Sequence, residues 1–294
     1  MMKFFARFKD NRIFRVILNP DFISDKVLNI ILVIVSVITV FSILISTLGI
    51  INKHNSIINQ GELTQSAKSL FYHDLGYEEG IKALQEQNEE IKAWMLIEDT
   101  VFDAPICQAQ DDEFYLNHDF LGQENAFGSL FFMSDDLISR NRPDQNLVIY
   151  GKNIEGRTPF NSLCKFLDVN FYNDHHIIHL YTKYGATPYV VFAVMILPDT
   201  NSGKEDFLDV TRSSFGSDRQ FNRWLKKVEK NNYLSTDITV SPHNNLLTLI
   251  TNRPSNQNER LVVMARELEL FEGSNMDTGV VAIKKGAQPE KTKN

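Results

Sequence analysis

Two cysteines, seven histidines and a scatter of lysines and arginines are the side chains of this 294-residue chain that could attack a carbonyl or carry a proton. Nucleophilic chemistry needs a thiolate or an activated hydroxyl, with a partner that titrates near neutral pH. Cys107 falls in an apolar run that reads as a strand, and Cys164 on the apolar face of a predicted helix. Both therefore read as buried free thiols. His118 lies in a turn beside Asp119, and His175 and His176 precede a strand. None accompanies a nucleophile, so each reads as structural or solvated. The run Asp111, Asp112, Glu113 lacks the ligand spacing of a calcium loop and reads as a solvated acidic turn. No metal or cofactor is expected. Two cysteines are too few for a disulfide scaffold, and a single bridge stays open.

The elements that would position such groups are short strands. β-type runs separated by polar turns fall at 93–97, 104–108, 129–132, 146–150, 177–184, 187–197, 246–251 and 260–268. Eight short strands at this spacing predict a closed or nearly closed barrel, mainly β with helical additions. Lys152 and Asn153 follow the fourth run, Thr251 and Asn252 end the seventh, and Arg260 opens the eighth, eight residues beyond Asn252. Two helices interrupt the strands. One, over 158–167, places Phe160, Leu163, Cys164 and Leu167 on one face. The other, over 217–231, spaces Phe221, Trp224, Leu225 and Val228 as i, i+3, i+4, i+7, with Asp218 in a first turn where acid suits the helix dipole.

Ahead of the barrel domain (93–272), residues 53–65 are polar and read as a linker. Leu70, Leu75, Ile81, Leu84 and Ile91 then recur at helical intervals, with Gly76 and Gly80 predicted to split the segment into a helical pair within 53–92. Residues 27–52 hold no charged side chain and are mostly Ile, Leu, Val and Phe, long enough to cross a bilayer as one helix. The preceding 1–26 carries six basic and three acidic side chains, and short basic flanks stay in the cytoplasm. No small-x-small cleavage pattern follows Ile51, so the segment reads as an uncleaved, single-pass signal-anchor with the C-terminal domain outside. Beyond residue 52 stand 24 basic and 34 acidic residues, a net of −10 that argues against nucleic acid or anionic lipid as the domain's partner. The segment 273–294 reads as a tail, polar and frayed from residue 284.

Two stretches carry a family signature: Leu147-Val-Ile-Tyr-Gly-Lys-Asn153 and Leu247-Thr-Leu-Ile-Thr-Asn252, the latter followed by Arg260. They resemble the active-site strands of the class B sortases, surface transpeptidases of Gram-positive bacteria, which have Tyr-Gly-His-Asn in the first and Thr-Leu-Ser-Thr-Cys in the second. Further islands keep the family order, among them Trp94 to Gln108, Glu113-Phe-Tyr-Leu-Asn-His-Asp-Phe-Leu-Gly122 and Gly128-Ser-Leu-Phe131. The resemblance covers about residues 60–270 and implies an eight-stranded sortase barrel with an N-terminal helical pair.

In that family a cysteine attacks the sorting signal, a histidine protonates the leaving amine and an arginine steadies the substrate. Here Lys152 stands at the histidine position and Asn252 at the cysteine position, while Arg260 matches. A carboxamide is no nucleophile, and a lysine titrates near 10.4, far from a neutral-pH proton carrier. The resemblance thus implies a pseudo-sortase on a Gram-positive surface. Arg260, Thr251 and Asn153 would remain to bind a peptide sorting signal, a surface protein or an intact sortase. Two alternatives stay open: an active transpeptidase or peptidase with rearranged residues, and an intramolecular isopeptide bond between Lys152 and Asn252, whose side chains would be neighbours in the family geometry.

Overall fold

The protein is described here by a computed structural model over residues 25–72, 76–140, 143–154, 156, 158–199, 207–253, 255–268 and 282–283. The basic tail before residue 25, Leu75 and the polar tail after 283 lie outside the described residues. The chain divides into two units, Met1–Ile58 and Asn59–Asn294.

Helix α1 (Asp25–Phe71) holds the apolar stretch Asn29–Ile51, 23 residues with a mean hydropathy of 2.8 and none of it buried, long and apolar enough to cross a membrane. The expected linker over 53–65 is instead helical, and α1 runs on to Phe71. Once a helix is nucleated, each further residue adds a hydrogen bond for little entropy, so a polar stretch without proline can propagate it. The break falls once, before Tyr77, and Gly80 lies inside helix α2 (Tyr77–Gln87). A Cβ at Gly80 would sit 2.3 Å from the Phe71 carbonyl oxygen, so this glycine serves close packing of α2 on the end of α1 and not a break.

Strands β1 (Ile91–Leu96), β2 (Asp103–Cys107), β3 (Leu130–Phe132), β4 (Asn146–Tyr150), β5 (Ile177–Thr182), β6 (Gly185–Pro198), β8 (Leu246–Arg253) and β9 (Asn256–Glu267) close into a barrel in the order β1-β2-β3-β4-β8-β9-β6-β5. A two-residue β7 (Leu234–Ser235) pairs with β10 (Ala282–Ile283), within the segment expected to be tail. Most pairs are antiparallel, but β2–β3 and β4–β8 are parallel. All eight expected strands are present, mostly shifted by a few residues at their ends. The exception is β9, which starts at Asn256 and not at residue 260. Its first residues are polar, so no alternation marks them in the sequence.

The 158–167 segment forms a 3-10 helix, Pro159–Leu167, whose Phe160, Leu163 and Phe166 join the barrel interior with Leu147, Ile149, Leu247 and Leu249. A short α3 (Val169–His175), absent from the sequence reading, follows it with Asp168 as cap. The expected 217–231 helix is α4 (Asp218–Asn231), capped by Ser217. Its Phe221, Trp224 and Val228 cover the outer barrel face of Val148, Ile250, Val262 and Met264. The C-terminal end of α1 and α2 cover another face, where Phe71 stacks on Trp94 with centroids 4.4 Å apart. Asp103 ties that contact, accepting from Trp94 Nε1 and Tyr72 Oη at 2.8 Å each and pairing with Lys68 at 2.7 Å.

Candidate functional site

The parallel seam of β4 and β8 pairs Asn146 with Leu246 through Tyr150 with Ile250 in unbroken register. Alternation sends Leu147, Ile149, Leu247 and Leu249 into the barrel, and Val148, Tyr150 and Ile250 to the side covered by α4. Beyond the last pair the seam continues through glycine and side chains. Gly151 N donates to Ile250 O at 3.3 Å, and Thr251 Oγ1 donates to Gly151 O at 2.7 Å. A Cβ on Gly151 would meet Leu130 Cδ2 at 2.5 Å and Phe160 Cδ2 at 2.9 Å, so only glycine lets the strand end approach the core this closely. Thr251 is thereby buried, its hydroxyl engaged in the scaffold.

Asn153 and Asn252 clasp each other across the same seam. The Asn153 backbone N–H donates to Asn252 Oδ1 at 3.3 Å, and Asn153 Nδ2 donates to the Asn252 carbonyl at 3.1 Å. Asn153 is buried and also accepts from Asn161 Nδ2 at 2.9 Å, while Asn252 is exposed. The end of β8 therefore presents a solvent-facing, hydrogen-bonded carboxamide. Cys164 sits one side chain away: its Sγ lies 3.6 Å from Asn153 Nδ2. It is half-buried, more open than its place on an apolar helical face predicts. Burial pushes its thiol up, with the Asn153 hydrogen bond and the Arg253 charge pulling the other way. Cys107 is fully buried as expected, its thiol raised by burial. Both cysteines are free.

Lys152 turns away from this clasp. Its Nζ donates to Asn117 Oδ1 at 2.9 Å and to the Ala126 carbonyl at 3.1 Å, and partial desolvation lowers its pKa. The 117–128 loop that receives it is fixed by Gly128, whose φ is +65° and where an added Cβ would sit 2.5 Å from the Leu116 carbonyl oxygen. The side chains of Lys152 and Asn252, expected as neighbours, share no hydrogen bond among the described residues.

Arg260 lies inside β9, directly opposite Asn252, and not at the start of a strand after a long loop. A tight turn joins Arg253 to Asn256, and the register slips between Asn252 and Arg253. The Arg253–Glu259 ion pair, 2.6 Å, braces this hairpin. Residues 256–259, ahead of the expected strand start at Arg260, are thus already strand. Arg260 Nε pairs with Asp199 Oδ1 at 2.9 Å, and Nη2 donates to the Asp199 carbonyl at 2.6 Å. Burial pushes the Tyr150 phenol up while the adjacent guanidinium pulls it back, so Arg260 also reaches over the β4 end.

The structure thus brings Asn153, Thr251 and Asn252 together, sets Arg260 beside them and directs Lys152 elsewhere. Sequence reasoning missed Asn117, Asn161 and Asp199. Asp199 had a signal, since it directly follows β6, whose Leu197 pairs with Arg260. The histidines are structural by their contacts: His118, His175 and His176 donate from Nδ1 to the carbonyls of Phe114, Glu98 and Tyr172.

No protein-family model matches the chain. Sortase B of Listeria monocytogenes is 28% identical over 207 residues, spanning 68% of this chain and 78% of that protein. Sortase B of Staphylococcus aureus is 26% identical over 192 residues, spanning 64% and 75%. Among solved structures, a Staphylococcus aureus sortase B–substrate complex aligns with a TM-score of 0.64 at 23% identity, over 75% of this chain and 99% of that one. Clostridium perfringens sortase B aligns with a TM-score of 0.57 at 28% identity, over 64% and 99%. A closed eight-stranded barrel, flanked by N-terminal helices and matched to these structures, defines a sortase fold. Within that fold the chain is similar to the class B sortases, at 26–28% identity over 64–68% of its length.

Proposed function

We propose that this protein is a membrane-anchored pseudo-sortase, which binds a sorting-signal peptide or the surface protein that carries it and performs no cysteine transpeptidation. One observation carries the reading: the exposed end of β8 presents the Asn252 carboxamide, clasped by Asn153, where acyl transfer would need a thiolate. The Lys152 Nζ is engaged with Asn117 and Ala126 instead of standing beside the carboxamide as a proton carrier would. Peptide binding draws support from the sortase B relatives, of which one structure is a substrate complex and another is complexed with triglycine. Arg260 beside Tyr150 is the cation available to a bound backbone carbonyl once Asp199 yields. The apolar Asn29–Ile51 stretch supports the anchor, with the basic tail inside.

The test uses the full chain in neutral detergent micelles with a labelled sorting peptide and a glycine-rich acceptor. The expected result is saturable binding without cleavage, weakened at least about tenfold by Arg260→Ala, the scale of one hydrogen bond from a charged group. Cleavage that survives Cys107→Ala and Cys164→Ala but disappears with Lys152→Ala overturns the reading.

A second reading, a transpeptidase or peptidase with rearranged residues, has one observation on its side. The Cys164 thiol is linked through Asn153 to the position of the lost nucleophile. Its raised pKa keeps it protonated, which argues against nucleophilic use. Cleavage abolished by Cys164→Ala alone would favour this reading over the first.

A further inference from the structure

The outward side of α4 is strongly cationic. Arg219, Arg223, Lys226 and Lys230 are exposed and spaced by four, three and four residues, so they align along one side of the helix over about 16 Å. The opposite side, with Phe221, Trp224 and Val228, is buried on the barrel. Arg219, Arg223 and Lys226 enter no ion pair among the described residues.

The sign of this row runs against the domain. The helix holds five basic and two acidic residues, where the chain beyond residue 52 holds 24 basic and 34 acidic. A merely solvated helix face would follow the domain's own proportion. Beside the row a pocket opens, lined by Phe207, Arg212, Arg223, Trp224 and Lys227, with Asp209 also in its lining. Asp209 accepts from the Thr211 hydroxyl at 2.8 Å, and Trp224 Nε1 donates to the Asp209 carbonyl at 2.7 Å. Arg212 lies over the Phe215 ring at 5.4 Å. Two guanidinium groups, from Arg212 and Arg223, therefore line an aromatic-walled recess at the side of the cationic row.

We propose that this face of α4 docks a linear phosphodiester polymer without bases, a polyol phosphate chain, with a phosphate in the recess and its neighbours along the row. Guanidinium forks match phosphate oxygens in paired hydrogen bonds, and regularly spaced cations suit regularly spaced anions. A membrane surface fits less well, because the apolar side of α4 is already buried and nothing remains to insert among lipids. A single-stranded nucleic acid would use exposed aromatic platforms for its bases, and the row offers none. The acidity of the domain as a whole does not oppose the contact, because charges beyond about 10 Å are screened at physiological salt. The proposal is independent of the reading of the groove.

The experiment titrates the full chain, in neutral detergent micelles, into fluorescently labelled poly(glycerol phosphate) and follows anisotropy at low and physiological salt. The expected result is saturable binding that weakens with salt and falls more than about tenfold in Arg219→Glu/Arg223→Glu/Lys226→Glu. Arg223→Gln, which keeps the helix, is expected to weaken binding about threefold, while Lys82→Glu and Lys92→Glu leave it within about twofold. Circular dichroism checks that each variant is folded. The proposal is overturned by absent binding at low salt, or by equal affinity in the triple variant. Tighter binding to anionic phosphatidylglycerol vesicles, or to a DNA oligonucleotide, overturns it by assigning the face to another class of partner.

Discussion

The two faces of the β4–β8 seam obey different rules. Toward the barrel interior, Leu147, Ile149, Leu247 and Leu249 are buried and bear no polar group, and they would serve any sequence closing this barrel. At the outer end, Lys152, Asn153, Asn252 and Arg260 each find a separate polar partner: Asn117, Asn161, Asn153 and Asp199. The interior is held by area removed from water and the end by individual hydrogen bonds, which differ in how tightly they constrain residue type. The architecture therefore constrains the interior residues far more than the residues at the tip of the seam. Backbone pairing and apolar burial build the seam, and neither depends on a thiol or an imidazole at its tip.

Leu249→Ala tests the interior face most severely. The residue is fully buried among barrel side chains, so truncation should cost about 2–5 kcal/mol, read as a lowered denaturant midpoint. A loss below about 1 kcal/mol would break the claim that the interior carries the seam.

Asp136 lies between the two faces. It is buried, accepts from the Val148 N–H at 2.9 Å, and burial raises its carboxyl to about 7, with Asp144 and Asp135 adding to the shift. Its folded pKa exceeds the unfolded value, so the folded state binds the proton more tightly. Stability therefore falls as pH rises from about 4 to about 7, and the full cost stands above that. A shift of this size corresponds to a cost of up to about 4 kcal/mol. Asp136→Asn keeps an acceptor for Val148 and removes the titration. Its melting temperature should be flat over this pH range and should exceed that of the parent above neutrality. A parallel pH dependence in both proteins would show that Asp136 is not the titrating group.

The outer end responds more weakly. Asn153→Ala removes the acceptor of Asn161 and the donor to the Asn252 carbonyl, and should cost about 1–2 kcal/mol because exposed Asn252 can turn to water. It also removes the donor to Cys164 Sγ, so alkylation of that thiol should change rate while Cys107 stays inert. An unchanged melting temperature would mean that the clasp adds nothing to the backbone seam.

How much of this was legible in the sequence follows the same division. Apolar alternation gave the eight strands, and the i, i+3, i+4, i+7 pattern gave α4, because burial writes itself into residue type at a fixed period. The start of β9 was invisible, since a hairpin of Asn, Glu and Gln carries no period. The polar continuation of α1 was equally hidden, because propagation of a helix leaves no apolar stripe. At the site, the positions of Lys152, Asn252 and Arg260 could be read from order along the chain. Their partners could not. Asn117 is 35 residues from Lys152 and Asp199 is 61 from Arg260, and such contacts exist only once the barrel closes.

Lys152→Ala is the smallest perturbation and bears most directly on the comparison. The ammonium holds two acceptors of the 117–126 loop, both near enough to solvent to be satisfied by water when it leaves. The loss should be about 0.5–1.5 kcal/mol, confined to that loop and visible as faster amide exchange near Asn117 and Ala126. Lys152→His is too short to span both acceptors and should behave like the alanine variant. Combined with Asn252→Cys it would place a thiol and an imidazole on an otherwise unchanged seam. If the doubly substituted chain remains folded within about 1 kcal/mol yet cleaves no peptide, the Asp199 pairing of Arg260 and the tie between Asn153 and the residue-252 carbonyl must also have moved the end of the seam away from catalysis. If it cleaves, the scaffold has kept its geometry and only the reacting atoms were exchanged.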